Sequence, residues 1–371
     1  MSNGPGSRRT SRKFAPLGIL FAVVGIFLFA FFVRKAGISE IVGGIKRLGA
    51  GFLLILGLSA LRQAVRSLAW TRCFERPHRL RFREAFVARL MGDALGNITP
   101  LASVAVSEPS KALFVRHRVP LLASVAALAL ENIFYSLSVV VLIFSGTTAL
   151  LLNFPLPKPL RYASFATLIT TPIIVIVGSL VINRQWRFLS GASYWLGKRG
   201  VGRSSMERAL PRAQALEDRI YGFYERNRSR LLATFALELC FHLAGVAEVY
   251  TTLSFISDIK EPTLLIAFIL ESVNRVINVV FKFIPLRTGV DEAGTGMLSR
   301  VLGFTTAIGV TLAIVRKGRD IFWTAIGISL FVRRGFSFAA MTREAEEVAV
   351  DIAVTATTEN TPTPSPEPGR G

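Results

Sequence analysis

Residues 17–33 read LGILFAVVGIFLFAFFV, an apolar run without a charged residue. A helix of about 20 apolar residues crosses the hydrocarbon core of a bilayer. The run ends at Arg34-Lys35 without the small-residue site at which a signal peptide is cleaved, so we expect an uncleaved first span. Comparable runs follow at 51–70, 120–145, 160–182, 231–256, 263–284 and 305–331. The sequence therefore predicts an all-α, polytopic membrane protein with about seven transmembrane helices.

The composition excludes several other classes of protein. Of the 371 residues, 51% are hydrophobic and 18% are charged, whereas about a quarter of the residues in a soluble domain are charged. This excludes a soluble enzyme, a disordered protein and a disulfide scaffold. Cys73 and Cys240 are the only cysteines and lie in no ligand-spaced cluster. We therefore expect no metal, no disulfide framework and no cofactor.

The charge distribution indicates the orientation of the chain. There are 44 Lys and Arg against 24 Asp and Glu, a formal net charge of +20. Such an excess collects in the cytoplasmic loops of membrane proteins, so nucleic acid is not expected as a partner. Two spans separate the basic segments 1–16 and 71–89, which places both on the cytoplasmic side of a bacterial inner membrane. Arg62 and Arg66, near the end of run 51–70, are expected to snorkel toward that surface.

Three further divisions of the chain follow from composition. We expect a membrane domain at 17–335, interrupted by a basic loop at 183–230 with eleven Lys and Arg against four acids. Apolar residues in this loop have helical spacing, which fits either a helix on an anionic leaflet or a helix packed on the protein itself. The segment 336–371 is acidic and Pro-rich, and we expect it to be disordered.

Two short segments, 90–104 and 285–304, are apolar but broken by Gly, Asn or Pro. They are typical of re-entrant segments, which membranes tolerate only where protein or a water-filled cavity surrounds them. They overlap two similar stretches, NITPLASVAVSEPSKALFVRHRVPLLASVAALALEN (97–132) and FIPLRTGVDEAGTGMLSRVLGFTTAIGVTLAIVRKGRD (283–320).

In each stretch an acid, Glu108 or Glu292, precedes a polar pair by 23 or 24 residues, Glu131-Asn132 or Arg316-Lys317. The matched order predicts an internal repeat that relates the two re-entrant segments. In transporters, the ligand site forms where such repeats meet.

Polar side chains inside the predicted spans are candidates for a binding site. A charge at the bilayer centre costs about 2.5–3.5 kcal/mol on insertion scales. In 263–284, four polar residues lie on one helical face: Glu271, Asn274, Arg275 and Asn278. We interpret this stripe as the wall of a polar cavity; the alternative is a stripe that joins neighbouring helices.

Two other groups leave alternatives open. Arg316, Lys317 and Arg319 interrupt the last apolar run, either as a site for phosphate or carboxylate or as a basic loop between two half-helices. Glu238 and His242 lie four residues apart in 231–256. We expect a structural hydrogen bond there in preference to a proton relay.

With these motifs the chain resembles the transmembrane region of lysylphosphatidylglycerol synthase and the related stand-alone flippase-like proteins, which include hopanoid-biosynthesis-associated members. The resemblance covers about residues 15–335. The family's Pro-Gly-Gly-x-Gly-x-x-Glu turn is matched at Pro285, Gly289 and Glu292, with Leu286-Arg287 in place of two glycines. Its Gly-Glu motif with a following Arg is matched at Glu108, with Lys111 in the place of that Arg.

The resemblance implies that the protein moves a lipid between leaflets. A soluble aminoacyl-transferase domain makes the lipid in full-length synthases, and no such activity or catalytic residue is expected here. The expected ligand is a lipid with a phosphate-, amine- or sugar-bearing headgroup. The candidate headgroup-binding residues are Glu108, Lys111, Glu131, Asn132, Glu271, Asn274, Arg275, Asn278, Pro285, Gly289, Glu292 and Arg316.

Two alternative functions stay open. The protein could be a non-transporting subunit that recruits lipid-modifying enzymes through the loop 183–230, or a secondary transporter for a small solute. Anionic or glycosylated lipids and lipid-biosynthesis enzymes are the expected partners, and an oligomer is compatible with the sequence.

Overall fold

A computed structural model describes residues 31, 34, 38–98, 103–183, 214–216, 218–219, 222–223, 226–258, 260–281, 284 and 287–334. Ten α-helices have both ends within these residues, which contain no strand. In chain order the helices are α1 (Ile38–Leu48), α2 (Gly51–Arg72), α3 (Phe82–Ile98), α4 (Ser103–Phe114), α5 (Leu121–Asn153), α6 (Lys158–Asn183), α7 (Arg228–Ile256), α8 (Leu264–Val280), α9 (Val290–Val301) and α10 (Thr306–Arg333).

Several helices are built to cross a membrane. Within the described residues, α2, α5, α7 and the part of α6 from Lys158 to Gly178 are long and apolar enough to span a bilayer. Large apolar side chains on the outside of α6, such as Ile169 and Ile174, are more than half exposed and suit contact with lipid. The all-α, polytopic membrane fold predicted from the sequence is thus confirmed. The expected first span, 17–33, lies outside the described residues.

Helices α2 and α7 run antiparallel to each other. At one end, Arg230 Nη1 donates a hydrogen bond to the Phe74 carbonyl oxygen (3.2 Å), which joins the end of α2 to the start of α7. At the other end, Gly51 lies against the Phe255 ring, and Arg47 forms an ion pair with Asp258. These two ends are named the Phe74 end and the Asp258 end.

Helices α3 and α4 form a hairpin that opens at the Phe74 end. Arg118, just after α4, donates from Nε to Oε1 of Glu84 in the first turn of α3 (2.9 Å). The arms approach closely at Gly92, where a Cβ atom would lie 3.0 Å from the Ser107 carbonyl oxygen. The chain therefore enters and leaves at the same end, as expected for the re-entrant segment 90–104, although the hairpin is longer than that segment.

Helices α8 and α9 form a second hairpin, which opens at the Asp258 end. Lys260, before α8, donates from Nζ to the carbonyl oxygen of Leu302, just after α9 (3.1 Å). Gly289, with a φ of +86° that glycine tolerates readily, precedes α9. The segment 263–284 was expected to cross the membrane alone. The structure instead makes it the first arm of a hairpin whose second arm returns to the same end.

The two hairpins belong to an inverted repeat. The arms α3 and α8 each have 17 residues, and α4 and α9 each have 12. A long helix follows each hairpin, α5 or α10. Because the hairpins open at opposite ends, the unit α2–α5 and the unit α7–α10 have opposite orientations, the arrangement found in many transporters.

The helix expected in the loop 183–230 is described at only a few positions. Leu216 and Phe223 are helical and buried, and Phe223 packs in the apolar cluster of Trp70 and Phe114. These two positions therefore favour a helix packed on the protein over one on a lipid leaflet. Most other residues of the loop 183–230 lie outside the described residues. So do the segments 1–16 and 336–371, which were expected to be a cytoplasmic segment and a disordered tail.

Candidate functional site

Buried charged side chains form two networks of ion pairs and hydrogen bonds. The first network lies mainly within the unit α2–α5 and consists of Arg66, Arg89, Asp93, Glu108, Lys111, Glu131, Asn132 and Glu238. The second lies mainly within α7–α10 and consists of Arg62, Glu248, Glu271, Arg275, Arg287, Asp291, Arg316, Arg319 and Asp320.

Glu131 is the centre of the first network. Its Oε1 accepts hydrogen bonds from Arg66 Nε (2.8 Å) and from Arg89 Nη2 (2.9 Å). Glu131 and Arg89 are completely buried. Charge-assisted hydrogen bonds of this kind are about twice as strong as neutral ones. They hold α2, α3 and α5 together.

The first network reaches the outside at the hairpin. Lys111 Nζ lies 2.7 Å from Asp93 Oδ1 and 2.8 Å from Glu108 Oε1, and Asn132 Nδ2 donates to Glu108 Oε2 (3.0 Å). The side chains of Asp93 and Glu108 are 33% and 28% exposed, whereas that of Lys111 is 2% exposed. The accessible part of this network is therefore acidic.

Glu271 is the centre of the second network. Its Oε1 accepts hydrogen bonds from Arg275 Nε (3.1 Å) and Arg62 Nη2 (3.4 Å). Arg316 lies farther away, with Nη2 3.8 Å from Glu271 Oε2 and Nη1 4.0 Å from Asp291 Oδ1. Three arginines thus surround one carboxylate, and positive charge is in excess around Glu271.

Arg316 differs from Arg62, Arg275 and Arg319 in its hydrogen bonding, because each of those three donates to a carboxylate. Its side chain is 6% exposed, yet neither Nη1 nor Nη2 has a hydrogen-bond partner. Buried polar groups in proteins are normally hydrogen-bonded. Arg316 therefore presents two free donors to any anion that enters the network.

The second network also reaches the outside. Arg319 pairs with Glu248 and donates from Nη2 to Asp320 Oδ1 (2.7 Å). Arg287 Nη2 lies 3.6 Å from Asp320 Oδ2, and these two side chains are 29% and 25% exposed. The alternative of a basic loop at 316–320 is excluded, because α10 is one continuous helix from Thr306 to Arg333.

The remaining candidates from the second repeat lie around the start of α9 and along α8. Glu292 accepts a hydrogen bond from the Gly289 N–H (2.7 Å) and forms an ion pair with Lys317. Asn274 is buried, and Asn278 Oδ1 has no hydrogen-bond partner. Pro285 lies outside the described residues. The polar stripe of α8 therefore joins helices at Glu271 and Arg275 and keeps an unpartnered acceptor at Asn278.

Two aromatic rings lie where the networks meet. The Arg66 Cζ atom is 4.0 Å from the centroid of the Tyr135 ring, and the Tyr135 hydroxyl is 3.4 Å from Arg275 Nη1. Phe241 lies 4.5 Å from Arg62 Cζ and 5.2 Å from Arg275 Cζ. These distances are typical of cation–π contacts. Tyr135 and Phe241, named the aromatic junction, therefore touch arginines of both networks.

Equivalent positions of the two repeats carry opposite charges. Arg89 and Glu271 are each the eighth residue of their hairpin arm, and Glu131 and Arg316 are each the eleventh residue of the following long helix. Arg89 pairs with Glu131 at 2.9 Å, and Glu271 faces Arg316 at 3.8 Å. The same contact is thus present twice with its charges exchanged.

The acid-to-pair spacing noted in the sequence also has a structural counterpart in both halves. Glu108 contacts Asn132, and Glu292 contacts Lys317. The structure thus brings together Glu108, Lys111, Glu131 and Asn132 in one network, and Glu271, Arg275 and Arg316 in the other. In the described residues the charges of each network contact one another directly. A cavity of about 240 Å³ lies elsewhere, beside Cys73 and Phe223 at the Phe74 end.

Several members of these networks were not predicted from the sequence. Arg62 and Arg66 were expected to snorkel to the surface, but they pair with buried acids of other helices. Arg89 was assigned to a basic cytoplasmic segment, but it is completely buried in α3. The four-residue spacing of Arg62 and Arg66 within an apolar run was the one available signal that both face the interior. The expected hydrogen bond of His242 exists, but its partner is Ser138 (3.0 Å) instead of Glu238.

One comparison with known proteins identifies the family of this chain. The family model described as lysylphosphatidylglycerol synthase TM region matches residues 17–327, which include the unit α2–α5 and all but the last turns of the unit α7–α10. No curated protein and no solved structure matches the chain. Since the family model covers most of the sequence, the protein belongs to the family of the lysylphosphatidylglycerol synthase transmembrane region.

Proposed function

We propose that this protein moves a lipid with a phosphate-bearing headgroup between the leaflets of the bacterial inner membrane. The observation that carries the proposal is the pair of buried charge networks that begin at oppositely oriented hairpins and meet at the aromatic junction. Buried charges are costly unless they are paired or serve a ligand. In this proposal the headgroup moves along the polar side chains of the two networks, and the acyl chains stay in the hydrocarbon of the bilayer.

Arg316 is the proposed contact for the phosphate. Its two free donors match a phosphate geometrically, because a planar guanidinium binds such oxygens in a bidentate manner. Arg62 and Arg275 add positive charge close by. The exposed acids of the first network, Asp93 and Glu108, suit an amine or hydroxyl group of the same headgroup.

The proposed orientation places the Phe74 end in the cytoplasm. The connection between α2 and α3 carries Arg76, Arg79 and Arg81, and short loops rich in arginine are retained on the cytoplasmic side. The N-terminus would then also be cytoplasmic. Membrane lipids are the proposed ligands, and no catalytic step is part of the proposal.

The proposal is tested by lipid movement in reconstituted vesicles. With fluorescent phosphatidylglycerol in both leaflets, dithionite should bleach the inner-leaflet probe in vesicles that contain the protein. We expect Arg316→Ala to slow this bleaching about 10- to 100-fold, because a hydrogen bond to a charged group contributes about 1.5–3 kcal/mol. Arg316→Lys, which keeps the charge without the planar donors, should give an intermediate rate.

The matched control is Arg333→Ala, an exposed arginine at the end of the same helix. It should leave the rate unchanged. Equal rates for both alanine variants would contradict the assignment of Arg316. If vesicles with the wild-type protein bleach no more than empty vesicles, the lipid proposal fails, and recruitment of enzymes or transport of a small solute becomes the better hypothesis.

A further inference from the structure

Glu238 is a buried acid of α7 to which the proposed function assigns no contact with the headgroup. It is completely buried, and neither of its carboxyl oxygens accepts a hydrogen bond from an N–H or hydroxyl group. The nearest cation is Arg66, whose Nε is 3.7 Å from Glu238 Oε2, beyond hydrogen-bond length. An ionised carboxylate without hydrogen bonds is strongly disfavoured in such a place.

The other close neighbour of Glu238 is a second acid, Glu131. The arginines bind only Oε1 of Glu131, and its Oε2 has no donor. Both carboxyl groups lie beside the same guanidinium, since Arg66 Nη2 is 2.7 Å from Glu131 Oε1 and Arg66 Nε is 3.7 Å from Glu238 Oε2. Two carboxyl groups can form a hydrogen bond only if one of them carries a proton, and two such groups that share a site do not both ionise readily.

The surrounding charges also favour one proton. Arg66 from α2 and Arg89 from α3 face the pair, and His242 lies one turn along α7 from Glu238. Burial raises the pKa of the neighbouring Cys73 thiol, so the thiol adds no charge. The first network has four acids and three cations, and a single proton on the acid pair makes the network neutral.

We infer that Glu131 and Glu238 share one proton and that this pair is the proton-binding site that couples lipid movement to a proton gradient. The coupling rests on the proposed function; the shared proton does not. Glu131, held by two arginines, is the ionised member, and Glu238 carries the proton. On release, the Glu238 O–H bond breaks, the proton passes to water, and the electron pair stays on the carboxylate.

The position of Arg66 explains how proton release would act on the lipid path. A second ionised carboxylate competes with Glu131 for Arg66. Arg66 also donates from Nη2 to Asn132 Oδ1 (3.4 Å) and stacks on the Tyr135 ring. A shift of Arg66 toward Glu238 therefore loosens both the accessible end of the first network and the aromatic junction.

Infrared difference spectroscopy on the purified protein tests the shared proton without any transport. We expect a carboxylic-acid carbonyl band in the wild type near neutral pH that is lost in Glu238→Gln and kept in Asp93→Asn, a partly exposed acid of the same network. Absence of the band in the wild type, or its persistence in Glu238→Gln, overturns the inference.

Thermal stability provides a second, independent measurement. Glutamine mimics a protonated glutamate, so Glu238→Gln should melt close to the wild type, whereas Glu131→Gln should melt roughly 5–10 °C lower because two buried arginines lose their carboxylate. Equal melting temperatures for the two variants, or a lower one for Glu238→Gln, contradict a proton on Glu238.

The coupling is measured as the ratio of bleaching rates of fluorescent phosphatidylglycerol with and without an imposed pH gradient. We expect a ratio above one for the wild type and a ratio of one for Glu238→Gln. A ratio of one for the wild type overturns the coupling. If no lipid moves in any sample, the proposed function and the coupling both fail, and the infrared band alone decides whether the proton is there.

Discussion

Replacement of Glu271 by glutamine is expected to lower the free energy of unfolding by about 3–5 kcal/mol, the usual cost of breaking a buried ion pair on one side. Glu271 is the common partner of Arg62, Arg275 and Arg316, and all four side chains are at most 9% exposed. Glutamine keeps the volume but removes the charge. Three buried arginines then lack their shared carboxylate.

The measurement is unfolding in detergent micelles, followed by circular dichroism during titration with SDS. The matched control is Glu84→Gln, which removes an acid from the ion pair with Arg118, a side chain that is 53% exposed. Exposed ion pairs contribute about 0–1 kcal/mol, so this variant should unfold almost like the wild type. Similar small losses for both variants would show that Glu271 is not the electrostatic centre of the second network.

The second large effect is expected for Gly327→Ala, at the contact between α10 and α3. A Cβ atom at this position would lie 2.6 Å from Ala94 Cβ and 3.0 Å from the carbonyl carbon of Leu90. A backbone atom of a packed helix cannot move aside as a flexible side chain does, so α10 and α3 must separate. Overpacking of this kind costs about 1–3 kcal/mol.

Gly318→Ala, on the same helix, is the matched control for Gly327→Ala. The atom nearest to a Cβ at Gly318 is Phe52 Cζ at 3.7 Å, an ordinary contact. Because alanine favours the helix over glycine by about 1 kcal/mol, this variant should keep or raise the melting temperature. A decrease of equal size in both variants would mean that loss of glycine itself, and not the contact between the repeats, determines the effect.

The Gly327 contact matters because α3 and α10 belong to different repeats. Asn97 Nδ2 also donates to Thr324 Oγ1 across the same pair of helices (2.9 Å). Small residues at helix contacts allow close approach of backbones inside membranes, where the hydrophobic effect adds little between helices. Close packing of small residues therefore stabilises the contact between the two repeats at α3 and α10, whereas ion pairs stabilise each network.

Much of the architecture could be predicted from local patterns. The lengths of the apolar runs predicted an all-α membrane fold, because a bilayer of fixed thickness demands helices of a fixed minimum length. The breaks at 90–104 and 285–304 predicted the two hairpins. The segment 263–284 was less predictable, because 17 helical residues are as compatible with a short span as with a hairpin arm.

Contacts of the candidate site that lie within one helix, or that recur in both repeats, could be predicted from local patterns. Glu271 and Arg275 contact each other four residues apart on one helix, so their pairing follows from helical geometry. The repeated spacing between an acid and a polar pair indicated the contacts of Glu108 with Asn132 and of Glu292 with Lys317. That these residues bind a headgroup is still a prediction.

By itself, the sequence determined the membrane class, the repeat and the family, since all three depend on patterns that are local or recur along the chain. Only the tertiary structure decided that the repeats are inverted and which charges meet. Arg66 binds Glu131 across 65 positions, and Arg62 binds Glu248 across 186. Such pairs form because packed helices bring their buried faces together. No local pattern specifies which face meets which, and for that reason Arg62 and Arg66 looked like surface residues until the helices were assembled.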